Sequence, residues 1–268
     1  MVGGQGDPGR AAIELVAATQ AGYDSAAGGW DDGPGRLYRD LAAALVTTAG
    51  PVTGQRVLDL GAGTGAAGRA ALAAGAAQVA AADLAPSMLA RCPPGLRPVA
   101  ADAAALPFRD RAFDLVLAAF CFGHLPDVGG SLAEARRVGA RLAVSSFAPG
   151  WTHPAKGAVD GVLAEFGYRP PDWYLAFKRE TEPRSQDPDW LRGQLAAARF
   201  GAVEVRTLSV RTSLATAAQL AAWRLGMAHV APFVAALPPA RRAELNRAAE
   251  AAAGAGSLTV SVLILTAA

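Results

Sequence analysis

The chain has 268 residues, 52% of them hydrophobic and 18% charged, enough for one full-sized domain with or without a smaller lid. Its 25 Lys and Arg, almost all Arg and dispersed, nearly balance 23 Asp and Glu. With no block of like charge, composition points to no nucleic acid or other polyanion as partner. Cys92 and Cys121 lie in no CxxC and beside no histidine at ligand spacing, which argues against a bound metal and a disulfide framework.

The opening MVGGQGDPGR lacks the apolar core of a signal peptide and reads as a frayed leader. Residues 11–21 and 35–49 read as helices separated by the turn AAGGWDDGPG. From residue 55 the runs QRVLDL, AQVAAAD, LRPVAAD, AFDLVLAAF and ARLAVSSF read as strands. TGAAGRAALAAG, APSMLAR and GGSLAEARRV between them suit crossover helices. Near-continuous apolar strands alternating with helices predict a parallel sheet covered on both faces, an α/β fold.

Residues 148–190, rich in Pro, Trp and Tyr, break this rhythm. It returns with WLRGQLAAARF as a helix and AVEVRTLSV as a strand, and residues 214–253 read as helices interrupted by Pro232, Pro238 and Pro239. Residues 251–268 carry no charge, but Gly254, Gly256 and the alternation of SLTVSVLILTA predict a last strand rather than a membrane span. A cytoplasmic protein that engages no membrane is expected. The two long interruptions predict a lid.

VLDLGAGTG carries the strongest signal: an apolar strand runs into Gly61, Ala62, Gly63 and Gly65, and a helical pattern follows. Such a loop makes a tight turn and lets a ligand approach the backbone. Asp83, about 20 residues on at the next strand's end, is placed to hold a ribose diol, and Asp102 ends the third strand. A nicotinamide enzyme would use a similar loop, and Ala66 does not exclude one by spacing. Asp59 discriminates: a carboxylate two residues before Gly61 opposes a pyrophosphate but suits the ammonium and sulfonium of S-adenosylmethionine.

With these residues the chain resembles the class I S-adenosylmethionine-dependent methyltransferases. VLDLGAGTG looks like their first motif and AADLAPSML, residues 81–89, like their second. Residues 100–127, AADAAALPFRDRAFDLVLAAFCFGHLPD, are similar to the branch that includes ubiquinone and menaquinone biosynthesis enzymes, and the likeness covers about residues 15–148. It implies a Rossmann-like sheet of seven strands, parallel except the last, in a single domain. The core would comprise about residues 51–148, 191–210 and 257–268, capped by segments about 11–50, 149–190 and 211–256. The resemblance implies that Asp83 holds the ribose hydroxyls and Asp102 the adenine amino group. Leu84 and Met88 would pack on the adenine, Ala103 would supply a backbone donor, and Phe120 and Tyr23 would lie beside the cofactor. Tyr23 alternatively reads as a core aromatic with Ile13, Val16 and Ala17. Where family members carry a Pro-Gly-Gly turn before the fifth strand, ARRVGARLAVSSF passes through with Gly139 alone.

Methyl transfer demands alignment and exclusion of water, with a base only for acceptors that must lose a proton. His124, just after the fourth strand, is the candidate base or orienting group, and a loop brace is the competing role. Phe122, His153, Trp173, Met227 and His229 are candidate acceptor contacts. The aromatic stretch GYRPPDWYLAF suggests an apolar rather than a charged pocket, suited to a ring-bearing or polyketide-like small molecule. The expected function is methyl transfer to such an acceptor, oxygen first and carbon second, in specialised or quinone-like metabolism. The competing readings are a binding protein or rearrangement enzyme using the same cofactor, and a nicotinamide-dependent reductase. Nothing in the sequence specifies an oligomeric state.

Overall fold

The computed structural model describes the backbone of residues 8–268 and side chains from residue 14 onward; the leader over residues 1–7 and the side chain of Ile13 lie outside the described residues. Helices α1 (Pro8–Trp30) and α2 (Pro34–Thr48) precede β1 (Arg56–Leu60), α3 (Ala66–Ala73), β2 (Gln78–Asp83), α4 (Pro86–Leu89), β3 (Leu96–Ala100) and β4 (Phe113–Ala119). A 3₁₀ turn (Phe122–His124) leads to α5 (Val128–Val138), β5 (Gly139–Phe147), α6 (Pro154–Glu165) and α7 (Asp172–Ala176). A π turn (Phe177–Thr181) joins α7 to α8 (Glu182–Ser185). There follow α9 (Pro188–Ala197), β6 (Glu204–Arg211), α10 (Ala217–Leu225), α11 (Ala231–Ala236), α12 (Pro239–Ala253) and β7 (Thr259–Ala267).

The seven strands form one sheet in the order β3-β2-β1-β4-β5-β7-β6. Every pairing is parallel except those of β7 with β5 and β6. Successive side chains of a strand face opposite sides. Val57, Leu115 and Leu117 accordingly join Leu37, Leu41 and Leu45 of α2 in one core. Leu58, Leu60 and Val116 join Leu132 of α5 and Leu191 and Leu195 of α9 in the other. The order reverses between β1 and β4, where the carboxyl ends of strands in an open α/β sheet leave a crevice for ligands.

One expectation needs correction. Helix α1 runs on through Gly28 and Gly29, where AAGGWDDGPG predicted a turn. Ala26, Ala27 and Trp30 are 2%, 3% and 7% exposed and pack with Met88, Trp173 and Ala228. That burial outweighs the roughly 1 kcal/mol per glycine that propensity sets against a helix. Residues 154–197 break the strand–helix rhythm of the core yet are largely helical, as a helical lid requires. Pro154 and Pro188 stand in first turns, where the missing N–H has no intrahelical partner to lose.

The short passage at Gly139 also has a packing cause. Helix α5 runs straight into β5, and a Cβ at Gly139 would lie 2.4 Å from Val116 Cγ2. Only a residue without a side chain lets that turnless junction pack on β4.

Candidate active site

The glycine loop turns left-handed three times, at Gly61 (φ +66°), Gly63 (φ +55°) and Gly65 (φ +82°). A Cβ at Gly61 would stand 2.4 Å from Cys121 Cβ, and one at Gly65 2.4 Å from Leu96 Cδ1, so packing and backbone both require glycine. At Gly63 no atom of the described residues lies within 4 Å of such a Cβ, which would face open space. Gly61 and Ala62 N–H both donate to the Ala82 carbonyl, locking the loop to β2.

Asp83 ties the loop from the other side. Its Oδ2 accepts from Gly63 N–H at 2.7 Å and its Oδ1 from Ala85 N–H at 2.8 Å. Burial raises its pKa, against the lowering effect of these amide donors. Asp59, 1% exposed, accepts from Gly68 N–H at 2.6 Å through Oδ2, while its Oδ1 has no partner among the described residues. Burial pushes its pKa up to about 7; the Gly68 amide opposes the rise and the charge of Asp83 adds to it. Asp102 is exposed two residues beyond β3 and accepts from Ala104 N–H at 2.9 Å, beside buried Ala103.

Three carboxylates therefore stand at three successive strand ends around one cavity. Leu84, 39% exposed, adds an apolar surface to the same wall, and Met88 closes it beneath α1. Such a cavity offers hydrogen-bond acceptors, a half-used buried carboxylate and an open backbone at Gly63. That donor set fits a ligand carrying a cation and a diol and disfavours a pyrophosphate.

A second chamber opens behind the first. Tyr23, Tyr38, Phe120 and His124 line both, so four rings form the passage between them. Tyr23 Oη lies 3.1 Å from His124 Nε2, and the His124 ring stacks on Phe177 at 4.3 Å between centroids. Burial lowers the His124 pKa to about 4 and raises that of Tyr23. Phe120 holds φ +56° with its N–H bonded to the Ser145 carbonyl at 3.0 Å. A non-glycine residue in that region costs about 1–3 kcal/mol, and such strain concentrates at functional sites.

Comparison with known proteins decides the family. A methyltransferase domain family matches residues 58–142. The demethylmenaquinone methyltransferase of Deinococcus radiodurans is 34% identical over 173 residues, which cover 60% of this chain and 69% of that protein. The chain belongs to the class I S-adenosylmethionine-dependent methyltransferases. A Renibacterium salmoninarum relative of the same name is 37% identical over 50% of this chain and 56% of its own. The chain spans about half the length of the first curated relatives it matches. In fold it is similar to the Haemonchus contortus phosphoethanolamine N-methyltransferase 2, solved with phosphomonomethylethanolamine and S-adenosylhomocysteine. That likeness has a TM-score of 0.52 at 17% identity, covering 91% of this chain and 57% of that one.

In this chain Tyr23, Asp59, Gly61, Ala62, Gly63, Asp83, Leu84, Met88, Asp102, Ala103 and Phe120 all line the first cavity. Gly65 caps α3 just behind it. Trp173, Met227 and His229 line the second chamber. Phe122 and His153 do not belong with them. Phe122 is 3% exposed and packs with Leu132 and Leu191 in the core under α5 and α9. The 3₁₀ turn separates neighbouring side chains by roughly 120°, so it can send His124 to the passage only by sending Phe122 elsewhere. His153 caps α6, its Nδ1 accepting from Ala155 N–H at 3.3 Å, and lines neither cavity.

The expectation of an apolar rather than charged acceptor pocket also needs correction. Rings dominate the chamber wall, but Lys156, Lys178, Glu182 and Arg224 line it too. They come from α6, the π turn, α8 and α10, so no local motif announces them. One signal was available: Lys156 and Lys178 are the only lysines in a chain that otherwise uses arginine.

Proposed function

We propose that this protein transfers a methyl group from S-adenosylmethionine to a small ring-bearing acceptor in the second chamber, with oxygen the first choice of acceptor atom and carbon the second. The observation that carries the reading is the unpartnered Oδ1 of Asp59 in the wall of a cavity joined to a second chamber through four shared rings. When bound, S-adenosylmethionine supplies a methyl carbon already activated by its sulfonium, so the protein's work is binding, orientation and exclusion of water.

Each residue then has a task its position supports. Asp59 receives the ammonium, since it is a buried carboxylate with one oxygen free. Asp83 accepts the ribose hydroxyls on lone pairs its two amide donors leave open. Asp102 and the Ala103 backbone serve the adenine edge, with Leu84 and Met88 on its faces. Phe120 and Tyr23 border the methyl end. His124, held neutral by burial, is too weak a base to take a proton at neutral pH. Its lone pair or N–H instead fixes the Tyr23 hydroxyl and shapes the passage. Relatives named for demethylmenaquinone support a planar, quinone-like acceptor.

The test is label transfer. Protein incubated with methyl-labelled S-adenosylmethionine and a panel of phenols, hydroxyquinones and their reduced forms should move label into the acceptor. S-adenosylhomocysteine should appear in equal amount. Binding of S-adenosylmethionine with no label moved to any member would count against methyl transfer.

A further inference from the structure

The acceptor chamber holds more positive charge than it neutralises. Arg224, Lys156 and Lys178 face Glu182 alone within its lining. Lys178 pairs with Glu182, and Arg224 Nη2 pairs with Asp160 at 2.7 Å. Among the described residues the Lys156 ammonium has neither an ion-pair nor a hydrogen-bond partner. Glu182 and Asp160 act on it only through space, opposed by Lys178 and Arg224, and burial lowers its pKa.

The hydrogen-bonding groups show a deficit too. Among the described residues six buried side-chain polar atoms lack a partner, and four belong to this chamber's lining: Arg224 Nε, His229 Nε2, Ser145 Oγ and Ser146 Oγ. Arg224 is only 3% exposed, with its guanidinium 5.3 Å over the Trp223 ring. Leaving a buried donor on a charged group unpaired is costly, and buried charges are ordinarily matched.

His229 adds no fourth cation. Tyr168 donates its hydroxyl proton to the His229 carbonyl at 3.0 Å, so it receives the His229 Nδ1–H at 2.7 Å. That assignment leaves Nε2 as a bare acceptor. Burial and the neighbouring cations push the His229 pKa down to about 3.

We infer that the acceptor is an aromatic acid, its ring held among the side chains of the passage and its carboxylate matched by Lys156 and Arg224. The inference rests on the methyl-transfer reading for calling this ligand an acceptor, but the preference for a carboxylate stands on the chamber alone. A guanidinium and an ammonium flanking one space are the pairing that recognises a carboxylate. The cavity of about 310 Å³ has room for one small ring system. The two lysines, kept where arginine serves everywhere else, are both in this wall.

Calorimetric titration of the full chain with benzoate and 2-naphthoate, each against its amide, tests this directly. The carboxylates should bind about tenfold or more tightly than the amides, as one charge-assisted hydrogen bond predicts. Lys156→Met should bring the two affinities to within a few-fold, and Arg224→Met should do likewise if it folds. Equal affinity for acid and amide, no binding by either acid, or an unchanged preference in Lys156→Met would overturn the inference. S-adenosylhomocysteine affinity, measured separately on the same protein, reports on the methyl-transfer reading and not on the chamber's charge.

Discussion

Asp59→Asn isolates what the buried carboxylate does. The folded protein holds this group at a pKa of about 7 against an ordinary 3.8. Between those two values the folded state binds more protons than the unfolded one, so stability falls as pH rises across the window and levels off above it. At 1.36 kcal/mol per pH unit, the interval from pH 5 to the folded value near 7 corresponds to about 3 kcal/mol lost by the wild type. Asparagine has no charge to bury and shows no such loss. Any cost of its amide at the unpartnered Oδ1 position is the same at both pH values and cancels. The variant should therefore gain about 3 kcal/mol on the wild type between pH 5 and pH 8, on the order of 8 °C in Tm. Urea unfolding of both proteins at the two pH values measures it. The same variant should lose about 10- to 100-fold in affinity for S-adenosylhomocysteine, whose ammonium would no longer meet a carboxylate. Parallel stability curves for the two proteins, or unchanged affinity in the variant, would refute the reasoning.

Valine at Gly63 should cost about 1–2 kcal/mol in strain yet abolish cofactor binding, because its side chain enters open space. Valine at Gly65, driven against Leu96, should damage folding itself, and thermal melts with calorimetry separate the two. Tyr23→Phe removes the hydrogen bond to His124 and should lower stability by about 1 kcal/mol, read from denaturant midpoints. Because the His124 pKa is about 4, kcat should show no inflection between pH 6 and 7 that His124→Gln abolishes. His229, depressed from 6.5 to about 3, takes up a proton in the unfolded state first, so its contribution to stability disappears as pH falls below 6.5. From pH 7 to 4.5, His229→Gln should lose about 2–3 kcal/mol less stability than wild type. Phe122→Ala should destabilise by about 3–5 kcal/mol while leaving cofactor affinity per folded molecule unchanged.

The strands and the acidic edge of the sheet were legible because both are written locally. Each of the first five strands is a short apolar run with Gly, Pro or Asp within a few residues of its ends, and Asp59, Asp83 and Asp102 fall at the strand ends where a parallel sheet collects its ligands. Features made by tertiary packing were not legible. Gly28 and Gly29 stay helical only because α1 is pinned by Trp173 and Met88, which lie far along the chain. His153 and Phe122 had the right residue types, but one caps a helix through its neighbour's amide and the other rotates into the core two residues from His124. The chamber's charge was hardest to see, since its four groups sit on four separate elements.

The most direct test of the account is a crystal structure of the protein soaked with S-adenosylhomocysteine. Density should fill the cavity between Asp59, Asp83 and Leu84, with the amino group on Asp59 Oδ1 and the sulfur end against Tyr23, Phe120 and His124, open to the chamber of Lys156 and Arg224. Density in another cavity, or a sulfur end turned away from the four shared rings, would contradict it.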